Sequence, residues 1–149
     1  GASAAVAAGT QAIRQADSAA QIVTQSTNAS SGFIKLMGIN ARGTIVTQGF
    51  PSERSRSFAV VNEAIELAAK SGMNELTPAM LEGYIGAKVL VEGLRRAGSP
   101  LTREGLKKAL HSFSNLDIGG LKMSFSNENH TGMDFAEISI IDQGGKFQR

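Results

Sequence analysis

Residues 121–141 read LKMSFSNENHTGMDFAEISII, two alternating apolar runs on either side of a polar stretch. In LKMSF (121–125), Leu121, Met123 and Phe125 share one face. In AEISII (136–141), Ala136, Ile138 and Ile140 are expected inward and Glu137 and Ser139 outward. A period of two is the mark of strands. The segment that follows, DQGGKF (142–147), carries a Gly-Gly turn signal. A helical chain would not end this way, so the tail decides for an α/β protein closed by a β-ribbon.

The polar stretch SNENHTGMDF (126–135) then becomes the connection between the two tail strands. It gathers Glu128, His130 and Asp134, with Ser124 and Ser126 close by. A metal site needs several convergent ligands at a recognised spacing, which this stretch lacks. The only other histidine, His111, ends a predicted helix. Asn, Asp, Ser and Gly are ordinary turn formers, so a solvated loop is the expectation and no metal is assigned. The rival from another class is a small hydrolase using His130 with Ser124 or Ser126.

Working back along the chain, residues 4–17 form an alanine-rich predicted helix with Val6, Ile13 and Ala16 on one side. A strand is expected at 21–25, then a polar turn, then a short helix carrying Phe33, Ile34 and Met37 and stopped by Gly38. GTIVTQG (43–49) reads as a second strand. From 52 the period becomes 3.6, with Phe58, Val61, Ile65 and Ala68 as a stripe closed by Gly72. Thr77-Pro78 reads as N-cap and first helical residue of a helix running to Gly98, striped by Met80, Tyr84, Ala87, Val91 and Leu94. Thr102 caps a further helix with Leu106, Leu110 and Phe113. The order is α-β-α-β-α-α-α-β-β. The helices at 52–71 and 78–97 are expected to pack on the strand at 43–48 and on the ribbon, and residues 4–25 to form a separate small unit.

At 149 residues the chain has room for one domain with a real core. Its 42% apolar and 19% charged residues describe a folded globular protein. Fifteen basic residues stand against 13 acidic ones, spread along the length without interleaved aromatics. No nucleic-acid partner is therefore expected. The lack of cysteine excludes thiolate catalysis, disulfides and cysteine-held metals. No apolar run approaches the roughly 20 residues that cross a bilayer. GASAAVAAGT at the start shows no basic leader region and no initiator methionine, so the chain is expected to begin partway through a longer protein. Nucleotide-loop and nucleophile-elbow patterns are absent. Ser3, Ser26 and Thr27 flank strands, where they can hydrogen-bond a small ligand or simply serve turns. Glu82 sits in a first helical turn, where the positive end of the macrodipole favours a carboxylate.

The runs LEGYIGAKVLVEGLRRAG, LTREGLKKAL, DIGGLKMSF and NHTGMDFAEISIIDQGGKF stand in one order. That collinear set resembles the C-terminal part of type I periplasmic solute-binding proteins, especially the branched-chain amino acid receptors of ABC transporters. QAIRQAD, QIVTQST and MGINARGTIVTQGFPS resemble the helix, strand and crossover of that family's second lobe. The resemblance spans essentially the whole chain. It implies a partial type I fold: a mostly parallel sheet flanked by helices, with the β-ribbon at the C-terminus. Residues 1–46 would belong to the second lobe, 47–120 to the crossover and helical part of the first, and 121–149 to the ribbon.

The same resemblance implies a non-enzymatic receptor without cofactor, periplasmic or extracellular, taking an amino-acid-like or organic-acid solute to an ABC permease. A sensory ligand-binding module of the same fold is the alternative. Ala2, Ser3, Ser26, Thr27, Ala79 and Glu82 match ligand-cleft segments, and Thr47, Gln48 and Gly49 match a hinge crossover. Ala2 and Ser3 fall, in that match, on a loop after a strand. Many amino-acid binders place an acid where Ser26 and Thr27 stand here. Family members are more than twice this length, so the first part of the receptor, with its leader, or a second copy of the chain is expected to complete the sheets.

Overall fold

The computed structural model describes residues 2–28 and 30–148, with the backbone alone for Ala2, Thr27 and Ser31. It forms two compact units, Gly1–Pro51 with Ala136–Arg149 and Ser52–Phe135. The chain passes from one to the other after Pro51 and returns after Phe135. The strand beginning at Ile45 completes itself at Gln48 before the chain leaves its unit.

The first unit contains helix α1 (Ala2–Gln15), strand β1 (Val23–Gln25), a 3-10 turn (Ser26–Asn28), helix α2 (Ser31–Met37), a second 3-10 turn (Gly38–Ala41) and strand β2 (Ile45–Gln48). Strands β5 (Glu137–Ile141) and β6 (Phe147–Gln148) return to it from the far end of the chain. Ser30 caps α2, its hydroxyl accepting from the Phe33 amide at 3.1 Å. Arg14 fastens the exit of α1 by donating to the carbonyls of Ser18 at 2.7 Å and Ala20 at 2.9 Å.

The sheet runs β1-β2-β5-β6. β1 and β2 are parallel, while β2–β5 and β5–β6 are antiparallel. The sheet is therefore mixed where mostly parallel strands are expected from sequence, since β5 enters beside β2 from the opposite direction. β1 is also no separate unit: Val23, Thr24 and Gln25 register with Ile45, Val46 and Thr47. Phe33, Met37, Ala41, Val46 and Ile141 form the buried cluster, with Val6, Ala7, Ile34 and Phe147 packed against it. α1 and α2 thus cover one face. Val23, Ile138 and Ile140 belong to the opposite face, where they are 58%, 63% and 44% exposed. β5 therefore turns Ser139 and Ile141 inward, the reverse of the expected facing, because Ile141 is the residue packed in the cluster under the helices.

Thr44 is 1% exposed, and its hydroxyl has no hydrogen-bond partner among the described residues. A buried hydroxyl without a partner loses its hydration for nothing in return. Thr44→Val is therefore expected to raise stability by about 1 kcal/mol in urea unfolding. A loss of similar size would mean that the hydroxyl is satisfied.

The β5–β6 turn is organised by Asp142. Its carboxylate accepts from the amides of Gly144 at 2.8 Å and Lys146 at 2.9 Å and from the Gln148 side chain at 2.8 Å. The Lys146 amide first, and then Gln148, hold this carboxyl below the ordinary aspartate value of 3.8. A lowered folded-state value means stabilisation present above the unfolded value and lost as pH falls through the folded one. The NMR titration of Asp142 is expected to end below that of a free aspartate, with the Lys146 amide exchanging faster once it is protonated. An unshifted titration would contradict the turn geometry.

The second unit contains helices α3 (Ala59–Lys70), α4 (Pro78–Ala97) and α5 (Arg103–His111), then strands β3 (Leu116–Asp117) and β4 (Lys122–Met123). The expected caps are present: Thr77 accepts from the Met80 amide at 3.3 Å and Thr102 from the Gly105 amide at 3.0 Å. The α4 stripe differs from expectation. Leu81, Ile85 and Gly93 are buried, while Ala87, Val91 and Leu94 are exposed. The cause is α5: a Cβ on Gly93 would lie 2.8 Å from Leu110 Cδ2, so the bare glycine backbone is the contact surface. Tyr84, expected in the core, is half-buried and donates its hydroxyl to Glu63 at 3.0 Å, which also pairs with Lys88.

α3 and α4 pack on each other and α4 on α5. They share this unit with β3 and β4, whereas β2 and β5 belong to the first. β4 pairs with β3, and β5 with β2, so the two tail runs are not partners. Each finds its partner upstream because the connection between them is long and hydrogen-bonded to itself. Ser126 Oγ accepts from the amides of Glu128 at 3.2 Å and Asn129 at 2.9 Å.

Candidate functional site

Parallel strands end together, so β1 and β2 present Gln25 and Gln48 at one end of their sheet. Ligands of open α/β sheets bind outside the carboxyl ends of such strands. At this end the 3-10 turn Ser26–Asn28 leaves β1. Asn28 is 4% exposed. Its amide nitrogen reaches back to Thr24 Oγ1 at 2.7 Å, and its amide oxygen accepts from the Ser3 hydroxyl at 2.7 Å. One buried amide thus ties the first turn of α1 to the last turn of β1. An amide so buried would be costly without both partners.

The neighbouring strand end carries a second polar pair. Gln48 Nε2 donates to Glu137 Oε2 at 3.1 Å, the two residues being directly opposed across β2 and β5. Thr47 Oγ1 donates to the Thr24 carbonyl at 3.4 Å, joining β2 to β1. The rim therefore brings together hydroxyls, the primary amides of Gln25, Asn28 and Gln48, and the Glu137 carboxylate. No acid stands at Ser26 or Thr27, yet Glu137 brings one to the same end of the sheet.

Of the residues singled out from sequence, Ser3 and Ser26 lie at this rim, together with the backbone of Ala2 and Thr27. Ala2 and Ser3 are in the first turn of α1 rather than in a loop. Thr47 and Gln48 end β2, and Gly49 follows. Ala79 is exposed in the first turn of α4, in the other unit; Glu82, expected in that turn, is exposed one residue beyond it, because the helix begins at Pro78. Asn28, Thr24 and Glu137 were missed. Asn28 sits in a run of turn formers, and Glu137 reads as the solvent face of a strand until its partner strand is known.

Open depressions mark the second unit. One, of about 420 Å³, is lined by Asn115, Lys122, Ser124, Asn129 and Asp134 among others. Another, of about 260 Å³, lies between Lys88, Glu92, Arg95 and Asp117. Their cations are already paired: Lys122 with Asp117, Lys88 with Glu63, Arg95 with Glu92. The serines beside His130 are also engaged, Ser124 accepting from the Asn115 amide at 2.9 Å and Ser126 from its own loop. No triad-like bond joins either to His130 among the described residues. No group of three or more metal-ligating side chains converges among them either.

Comparison with known proteins agrees with this architecture. The family model described as periplasmic binding protein matches residues 1–146. No curated protein matches the chain. Among solved structures, a substrate-binding periplasmic protein from Ralstonia solanacearum superposes with a TM-score of 0.78 at 25% identity, over 95% of this chain and 41% of that one. An extracellular ligand-binding receptor from Verminephrobacter eiseniae gives 0.77 at 25% identity, over 97% and 41%. A branched-chain amino acid ABC transporter protein from Thermus thermophilus, solved with bound valine, gives 0.75 at 19% identity, over 96% and 41%, a likeness of fold. The chain spans about two fifths of the length of these proteins. Its mixed sheet flanked by helices matches part of the type I periplasmic-binding fold. By sequence match and by fold, the chain belongs to the periplasmic binding protein family.

Proposed function

We propose that the chain supplies one ligand-contacting wall of a solute-binding receptor that delivers a small amino-acid-like or organic-acid solute to an ABC permease, in the periplasm or outside the cell. The observation that carries this reading is the buried Asn28 amide that holds Ser3 and Thr24 at the carboxyl end of β1. It sets hydroxyls and backbone amides in fixed positions, the form of preorganisation that small-ligand recognition requires. Ala2, Ser3, Ser26 and Thr27 form the wall. The valine in the Thermus thermophilus relative supports the size and polarity of the solute.

No covalent step is involved; closure about a hinge holds the solute. Thr47, Gln48 and Gly49 stand just before the chain leaves its first unit, the place for such a hinge. Residues 1–46 serve the second lobe and 47–120 mainly the first. The remainder of a receptor, or a second copy of the chain, completes the partners.

A thermal-shift screen of amino acids against matched 2-hydroxy acids tests the reading. A solute at 100 times its Kd is expected to stabilise the native state by about 2.7 kcal/mol. Asn28→Ala, and the milder Ser3→Ala, are expected to weaken that response. A screen in which no solute stabilises the chain would reject the proposal.

A further inference from the structure

The chain has two histidines, nineteen residues apart in sequence, and the fold brings them together. His111 is the last residue of α5 and half-buried, while His130 is exposed on the loop between β4 and β5. Their ring centroids are 5.4 Å apart and their planes 16° from parallel. Sequence alone gave no reason to pair them, because a helix end and a distant loop have no fixed relation until both are folded.

We propose that His111 and His130 form a two-imidazole site for a borderline divalent transition ion, with water on the remaining positions. Imidazole nitrogens bind zinc at about 2.0–2.1 Å, which puts the centroids of two rings on one tetrahedral ion roughly 5 Å apart. The observed centroid separation is of that size. The near-parallel planes turn faces rather than nitrogens toward each other, so chelation needs both rings to turn about their side-chain bonds. Imidazole suits zinc, nickel and copper and is a poor ligand for magnesium or calcium, which fixes the class of ion. The C-terminal end of α5 adds partial negative charge beside His111, while Lys108 in the same turn opposes a cation. Two donors and this balance make a weak, open site, unlike a closed structural cage. An ion there would add to the bonds that already join the start of this loop to the segment after α5, the Phe125 amide donating to the Phe113 carbonyl at 3.1 Å and the Asn115 amide to Ser124 Oγ at 2.9 Å.

The inference concerns the second unit alone and does not depend on the solute-binding reading. Zinc titration of the 149-residue chain, followed by the imidazole nitrogen resonances in long-range proton–nitrogen NMR spectra, tests it directly. Saturable shifts of both histidines at one ion per chain are expected, with magnesium without effect. His111→Gln and His130→Gln are each expected to weaken zinc binding at least tenfold. Both positions retain some exposure, and glutamine keeps hydrogen-bonding capacity, so the folded state can be checked by the unchanged amide spectrum. If His130 alone shifts, or if His111→Gln leaves affinity unchanged, the zinc is held by a lone surface histidine and the proposal falls. No shift of either ring overturns it equally.

Discussion

Truncating Phe33 to alanine is expected to lower the stability of the chain by about 4 kcal/mol, the largest effect of any single substitution considered. Phe33 is 1% exposed and lies in the cluster of Met37, Ala41, Val46 and Ile141. These residues come from α2, the turn after it, β2 and β5, so the ring is what α2 sets against two strands. Its removal forfeits the transfer free energy of an aromatic side chain and leaves a cavity that a close-packed interior fills only in part. Urea unfolding should show the midpoint fall with little change in slope. A loss below about 1 kcal/mol would mean that α2 does not pack on the sheet as described.

Gly119→Ala is expected to cost about 3 kcal/mol, through two separable causes. The residue has φ +71°, where a side chain is strained, and its Cβ would meet the Val60 amide nitrogen at 2.6 Å. That nitrogen donates to the Gly119 carbonyl at 3.0 Å, so backbone meets backbone at the start of α3 and neither can retreat without breaking the bond. Gly72 provides the comparison. It has φ +74° with open space about its Cβ position, so Gly72→Ala carries only the conformational cost of about 1 kcal/mol. The difference between the two variants measures the close approach. Equal losses would show that the 119–120 turn yields to the methyl group.

Local chemistry was readable in the sequence. Thr77-Pro78 and Thr102 announce helix starts because a cap bonds to an amide only three residues away. The α/β class was readable because alternation in EISII and the 3.6 repeat of α3 are properties of single elements. The buried face of α4 was not, because the choice between Leu81–Ile85 and Val91–Leu94 is made by α5 closing on Gly93. The pairing of the tail strands failed for a related reason. β3 and β4 have two residues each, too few for a pattern to specify a partner, and β5 pairs with a strand about ninety positions earlier. At the candidate site, Ser3 and Ser26 were singled out as strand-flanking hydroxyls, although Ser3 lies in α1. Asn28 was not, because its role depends on Ser3, 25 positions away, and on its own burial.

The central claim is that the rim at the carboxyl ends of β1 and β2 receives a small solute. A titration of the isotope-labelled chain with L-valine, L-leucine and their 2-hydroxy analogues, followed by amide NMR, tests it most directly. The account predicts saturable shifts concentrated at Ser3, Ser26, Asn28 and Gln48 for at least one compound, and their loss in Asn28→Ala. Spectra unmoved by every compound, or shifts confined to the second unit and unchanged in Asn28→Ala, would contradict it.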